Sequence, residues 1–330
     1  MASSTSTVAV TGASGFVGRY VVRELLARGH TVRALVRDSA KAREVLPKAP
    51  QLVVGDVDDL DRVDALLKGA DACVNLIGII RETRPRGERA RTFQRLHVDA
   101  TRRLVARCEA LGVRRFLQMS ALGVKPDGVS EYQRTKFEAE SIVKLSTLAW
   151  TIMRPSLIHG PDGEFIKMAK GWVTGAGAPY IFLPYFTRGV EDYRVPLGPV
   201  DPVDPKIQPI AVEDVASAFA AALESPNAVG EIYNLAGGEV LTWPVMLRFI
   251  RDRTPGANER LQPWGLPGAV AAIAAKAASF IGLDRLLPFD AGQARMGAED
   301  SIATTDKARE DLALDPRPFR AAFAAYAPQI

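Results

Sequence analysis

Cysteine and histidine are scarce in this chain: two cysteines and three histidines in 330 residues. Cys73 and Cys108 have neither C-x-x-C spacing nor histidines nearby, which excludes a disulfide framework and points to a reducing compartment. His30, His97 and His159 are scattered, so no metal site is expected. Charge of one sign is also lacking, with a net charge of +4. A composition of 47% hydrophobic and 24% charged residues excludes wholesale disorder and a polytopic membrane protein. The leader Met1 to Ser6 is short and polar, without the apolar core of a signal peptide, and a cytoplasmic location is expected.

What the chain does have is a strand, a glycine turn and a helix start in succession, from Thr7 to Arg19. Gly12 permits a tight turn, Gly15 lets backbone approach a pyrophosphate, and Gly18 lets the helix pack on its strand. The helix N-terminus offers unpaired N–H groups and a positive dipole end to phosphate oxygens. An amphipathic helix follows, with Val21, Val22, Leu25 and Leu26, and then a second strand from Thr31 to Val36 completes a βαβ unit.

Up to about Pro155, short apolar strands alternate with helical stretches. Strands are expected at 8–11, 31–36, 51–54, 72–76, 115–119 and 150–153. They predict an α/β fold of the Rossmann type, a doubly wound parallel sheet in the order 3-2-1-4-5-6 with a smaller C-terminal α/β lobe. The expected organisation is a dinucleotide-binding domain over residues 1–160, with residues 161–330 forming a lobe interleaved with the sheet. Within that lobe, Ile207 to Ile210 reads as a strand leading into a helix, and Glu231 to Leu235 as another strand.

The residue about 20 positions beyond a glycine turn sets the choice of dinucleotide, and an acid there favours NAD. Here it is Arg37, whose guanidinium suits the 2′-phosphate of NADP, so NADP(H) is favoured over NAD(H). Arg19 is placed either to stack on adenine or to reach the same phosphate. Asp56, with Val57 behind it, either accepts from the adenine amino group or caps the helix beginning near Asp58. Asn75, Leu76 and Gly78 end the fourth strand, where glycine lets backbone lie against the cofactor. Tyr132 and Lys136 stand four apart on one helical face. A neighbouring ammonium lowers a phenol's pKa, so Tyr132 is expected to serve as general acid or base while Lys136 holds the nicotinamide ribose.

These motifs, with Arg154 to Pro161, resemble atypical or extended members of the short-chain dehydrogenase/reductase superfamily, in family order over residues 7 to about 245. Val74 to Gly78 and Ser120 to Gly123 are most similar to the branch containing the nucleotide-binding accessory subunit of respiratory complex I. The resemblance implies a cofactor set of Gly12, Ser14, Gly15, Phe16, Val17, Gly18, Arg19, Arg37, Asp56, Val57, Asn75, Leu76, Gly78, Lys136 and Pro155, and a catalytic set of Ser120, Tyr132 and Lys136. Leu122 departs from the family by occupying the usual Ser/Thr position. The triad is then complete only if Ser120 itself reaches the substrate; otherwise Tyr132 lacks its partner. The expected activity is hydride transfer at a carbonyl or alcohol of a small molecule. The alternatives are a non-catalytic accessory or assembly factor at a membrane respiratory complex, and a nucleotide-sugar epimerase or dehydratase.

Three further stretches bear on partners. Trp172 to Phe186 is rich in aromatics and reads either as a cover over an apolar substrate or lipid contact, or as core of the lobe. Ala269 to Phe280, within Trp264 to Phe289, is weakly polar with a single Lys276, short for a spanning helix, and fits buried packing or an interfacial helix. Between Arg81 and Arg115 stand eleven arginines against four acids. That run reads as a solvated face or as a contact for anionic lipid or an acidic partner at the inner face of a membrane, and no nucleic acid is expected.

Overall fold

The computed structural model describes residues 5–83, 89–190, 201–280 and 289–330. Its first half alternates strands and helices: β1 (Thr7–Thr11), α1 (Phe16–Ala27), β2 (Thr31–Val36), α2 (Ser39–Val45), β3 (Gln51–Val54), α3 (Leu60–Leu67) and β4 (Ala72–Asn75). After a π-helical turn at Gln94–Asp99 come α4 (Ala100–Leu111), β5 (Arg115–Met119), α5 (Glu131–Lys144) and β6 (Ala149–Pro155). Then follow β7 (Ile158–His159), α6 (Glu164–Thr174), β8 (Leu183–Val190), β9 (Asp201–Val203), β10 (Lys206–Ile207), β11 (Ile210–Ala211), α7 (Val212–Glu224) and β12 (Glu231–Leu235). The chain ends with β13 (Leu241–Thr242), α8 (Trp243–Arg253), β14 (Pro263–Pro267), α9 (Gly268–Phe280), α10 (Ala291–Gly297), α11 (Asp306–Leu312) and α12 (Phe319–Tyr326).

Seven strands form one parallel sheet in the order β12-β6-β5-β4-β1-β2-β3. This is the expected doubly wound order, extended by β12 at the β6 edge. The reversal beside β1 opens a crevice beyond the carboxyl ends of β1 and β4. On one face, α1 and α7 bury Val17, Val21, Val215 and Phe219 against Val8, Val10 and Val74. On the other, α3, α4 and α5 bury Leu66, Leu104, Val143 and both cysteines against Ala9, Phe116 and Ile152. Central strands covered on both sides need apolar residues at successive positions, which is why they read as continuous runs.

The second half differs from expectation in detail. The strand expected over Ile207 to Ile210 is two short strands, β10 pairing antiparallel with β13 and β11 pairing parallel with β7. Pro209 has no N–H to extend a ladder, and a Cβ on Gly237 would lie 1.8 Å from its carbonyl oxygen. The aromatic stretch splits between core and surface: Trp172 and Leu183 are buried with Ile166 and Met246, whereas Ile181 is 77% exposed. In α9, Ala271 and Ala272 pack on Ala294 while Val270 and Ile273 face outward. Residues 281–288 of the apolar segment lie outside the described residues. No described helix is long and apolar enough to cross a membrane.

Candidate functional site

The turn after β1 is built by space as much as by conformation. Gly12 has φ +70°, and a Cβ there would stand 2.9 Å from the Leu76 carbonyl beyond β4. A Cβ on Gly18 would lie 2.1 Å from the Gly12 carbonyl oxygen, so α1 packs on the turn only without a side chain there. Gly15 meets only the Gly12 oxygen, at 3.1 Å, and Ser14 and Gly15 are exposed, which leaves the outer face of the turn open. Gly15 caps α1 without any side-chain hydrogen bond, whereas Asp38, Asp59 and Ser130 cap α2, α3 and α5. The leading N–H groups of α1 therefore have no side-chain acceptor among the described residues.

Phe16 and Arg19 turn to the loop after β7. Cβ atoms on Gly160 and Gly163 would come within 3.2 and 3.0 Å of the Phe16 ring. Arg19 pairs with Asp162 at 3.1 Å, and its guanidinium lies 5.9 and 5.8 Å from the ring centroids of Phe16 and Tyr20. Arg19 thus fastens α1 to that loop, which differs from the expected reach toward adenine or its neighbouring phosphate. Val17 points into the core. Arg37, just past β2, is exposed and has no side-chain partner among the described residues.

At the end of β3, Asp56 accepts from the Asp58 N–H at 3.1 Å and from Arg95 at 3.0 Å, and Val57 behind it is buried. The capping residue of α3 is Asp59, not Asp56. Asp58 receives Arg95 at 2.7 Å and Arg89 and Arg103 at 2.9 Å. Burial pushes its carboxyl up, but the hydrogen bonds of Arg95 and Arg89 and the charges of Arg95 and Arg103 outweigh this and hold it below the usual range. Much of the arginine run is engaged by partners within the chain in this way, with Arg107 on Asp64 and Arg115 on the carbonyls of Ala149 and Ala222. Arg84 and Arg86 lie outside the described residues.

Asn75 is a buried hub whose side chain is used up internally. Its Oδ1 accepts from Thr11 and the Ile77 N–H at 2.7 and 3.2 Å, and its Nδ2 donates to Gln118 and Thr101 at 2.9 and 3.3 Å. Leu76 carries the chain past Gly12, and Gly78 brings it against Lys136, whose Nζ would be 2.9 Å from an added Cβ. Lys136 is buried, donates to the Met119 carbonyl at 3.1 Å, and is drawn down to a pKa of about 8 by burial, against the pull of Glu140.

Tyr132 stands one turn before Lys136, edge-on to Phe93 and His97 with centroids 5.9 and 5.4 Å away. Its hydroxyl has no hydrogen-bond partner among the described residues. Burial pushes its pKa up to about 12, opposite to the lowering expected from Lys136, whose ammonium is committed to Met119. His97 was missed by sequence reasoning because it stands alone in the chain. In the fold it is buried between the Thr135 hydroxyl at 3.0 Å and the Ile79 carbonyl at 3.1 Å, held neutral by burial and by Lys136 at a pKa of about 2.

Ser120 departs from its expected role. Its buried hydroxyl donates at 2.6 Å to Glu140, which is fully buried and takes Arg154 through two bonds of 2.7 and 2.6 Å. The single hydroxyl proton is thereby spent, and Ser120 has none to donate to a reacting oxygen. Leu122 is half-buried with its N–H on the carbonyl of Pro155, the last residue of β6.

Residues 12–174 match the model of a family described as NAD(P)H-binding. The chain is 31% identical over 258 residues to the mitochondrial NADH dehydrogenase [ubiquinone] 1 alpha subcomplex subunit 9 of Arabidopsis thaliana, over 76% of this chain and 59% of that one. It spans about three fifths of the length of the curated relatives it matches first. Among solved structures, the NADPH-dependent quinone oxidoreductase QOR2 of Escherichia coli, complexed with NADPH, shares the fold at 19% identity, covering 97% of this chain and 99% of that one with a TM-score of 0.68. The UDP-glucose 4-epimerase of Thermus thermophilus, complexed with NAD, does so at 19% identity, covering 96% of each with a TM-score of 0.67. Residues 12–174 therefore form an NAD(P)H-binding domain, and the chain is homologous to the alpha-subcomplex subunit 9 proteins of NADH dehydrogenase.

Proposed function

We propose that the protein binds NADP(H) in preference to NAD(H) and reduces a carbonyl group of a small molecule, with Tyr132 as proton donor. The observation that carries this reading is the Tyr132 hydroxyl, unpartnered among the described residues, one turn from buried Lys136, which itself lies against Gly78 at the sheet's crevice. The residues present fit the cofactor: an open glycine turn and an uncapped α1 suit a pyrophosphate, and unpartnered Arg37 suits a 2′-phosphate. The nicotinamide, when bound, supplies the hydride. A phenol held near pKa 12 stays protonated at neutral pH, so Tyr132 is disposed to give a proton rather than to take one. Neutral His97 fixes the face on which Tyr132 rests, and Lys136, one turn on and against Gly78, is placed to hold the nicotinamide ribose.

Tyr132→Phe is expected to slow NADPH oxidation with carbonyl or quinone acceptors about a hundredfold, with NADPH affinity nearly unchanged. Arg37→Asp is expected to shift the ratio of NADPH to NADH affinity by about a hundredfold toward NADH, by removing a charged donor and adding repulsion. An unchanged ratio on calorimetry would overturn the NADP preference. The commitment of Ser120 to Glu140, with Leu122 beside it, favours a second reading. In that reading the dinucleotide is a bound structural ligand, and the protein is an accessory or assembly factor of a membrane respiratory complex, a reading supported by relatives named as subunits of NADH dehydrogenase. Tight NADPH binding with no oxidation across the acceptor panel, before or after Tyr132→Phe, decides for it.

A further inference from the structure

We infer that Arg62 is a specificity-determining residue that grips the 2′-phosphate of the dinucleotide together with Arg37; this rests on the NADP(H) preference proposed above. The ends of β2 and β3 leave the sheet side by side, with the Gly55 N–H donating to the Val36 carbonyl at 2.9 Å, so Arg37 and Gly55 share one corner of the crevice. Arg62, in the first turn of α3, lays its aliphatic stem across that corner. A Cβ on Gly55 would lie 2.5 Å from its Cγ, 2.7 Å from its Cβ and 3.4 Å from its Cδ. Glycine at position 55 is what lets the arginine lie there.

Neighbouring carboxylates are committed elsewhere. Asp38 caps α2 and faces Lys41 at 3.8 Å, Asp59 caps α3, Asp56 and Asp58 hold Arg95, and Asp64 holds Arg107. Asp61, next to Arg62 on the helix, faces a different direction. Arg37 and Arg62 are both exposed, and both guanidinium groups lack a partner among the described residues. Two uncompensated cations, one just past β2 and one whose stem lies over Gly55 beyond β3, suit a phosphate monoester, which takes charge-assisted hydrogen bonds from both where a ribose hydroxyl does not.

The test is calorimetric titration of the full chain with NADPH, NADH, 2′,5′-ADP and 5′-AMP, in the wild type, Arg62→Ala and Arg62→Met. Methionine keeps a stem over Gly55 and removes only the charge. Both variants are expected to lose about tenfold in affinity for NADPH and 2′,5′-ADP, while NADH and 5′-AMP change less than about twofold. A wild type that binds NADPH no better than NADH overturns the NADP preference itself. A wild type that prefers NADPH, with the preference intact in Arg62→Met, overturns the role of Arg62 alone.

Discussion

Gly18→Ala is expected to destabilise the protein by about 3 kcal/mol and to weaken dinucleotide binding at least about tenfold. Two effects compete at this position. Alanine favours a helix interior over glycine by about 1 kcal/mol, which by itself would stabilise α1. Against this, the new Cβ would stand 2.1 Å from the Gly12 carbonyl oxygen and 2.7 Å from that of Ala13, both backbone atoms that no rotamer change can move. α1 must then lift from the turn, carrying away the N–H groups aimed at the crevice, so space outweighs propensity. Gly15→Ala makes the contrasting case. Its Cβ has one close neighbour at 3.1 Å and otherwise faces the open side, so stability should change by less than about 1 kcal/mol while affinity falls. Urea unfolding with NADPH titration on both variants checks this; equal stability of Gly18→Ala and wild type would mean that the turn is looser than its packing indicates.

The second large effect is expected at Glu140. Its carboxylate is fully buried and holds Arg154 in a two-bonded pair, Lys144 at 3.5 Å and the Ser120 hydroxyl. Breaking a buried pair from one side leaves the other charge uncompensated, and Glu140→Ala is expected to cost about 3–5 kcal/mol in urea unfolding. Arg154→Ala should cost less, because Lys144 and Ser120 still serve the carboxylate. The double variant should cost well below the sum of the two, since the stranded charge is gone. Additive losses would show that the pair contributes little beyond packing.

The buried pair also explains where reading the sequence stopped. Ser120 was the one hydroxyl left to complete the triad once Leu122 filled the usual position, and nothing in the residues around it signals that Glu140, on the helix that follows, accepts its hydrogen bond. Arg19 follows the glycine turn, yet its partner Asp162 lies far along the chain, beyond β7. The arginines after Arg81 look like a charged face, but Asp58 collects three of them in the fold. For Tyr132 and Lys136 the helical spacing was legible, whereas the direction of the phenol's shift depended on burial that spacing does not report.

What the sequence alone determined is the framework: six strands and their order, the glycine turn between β1 and α1, and the placing of Tyr132 and Lys136 on one face of α5. Those features follow from local causes, namely side-chain period, the conformational freedom of glycine and right-handed crossover between parallel strands. The tertiary structure alone decided which polar group answers which, how Asn75, Ser120 and Arg19 are engaged, and where Arg62 lies over Gly55. Partnership between charges depends on distance through space and on loss of water, and neither exists until the strands and helices have packed.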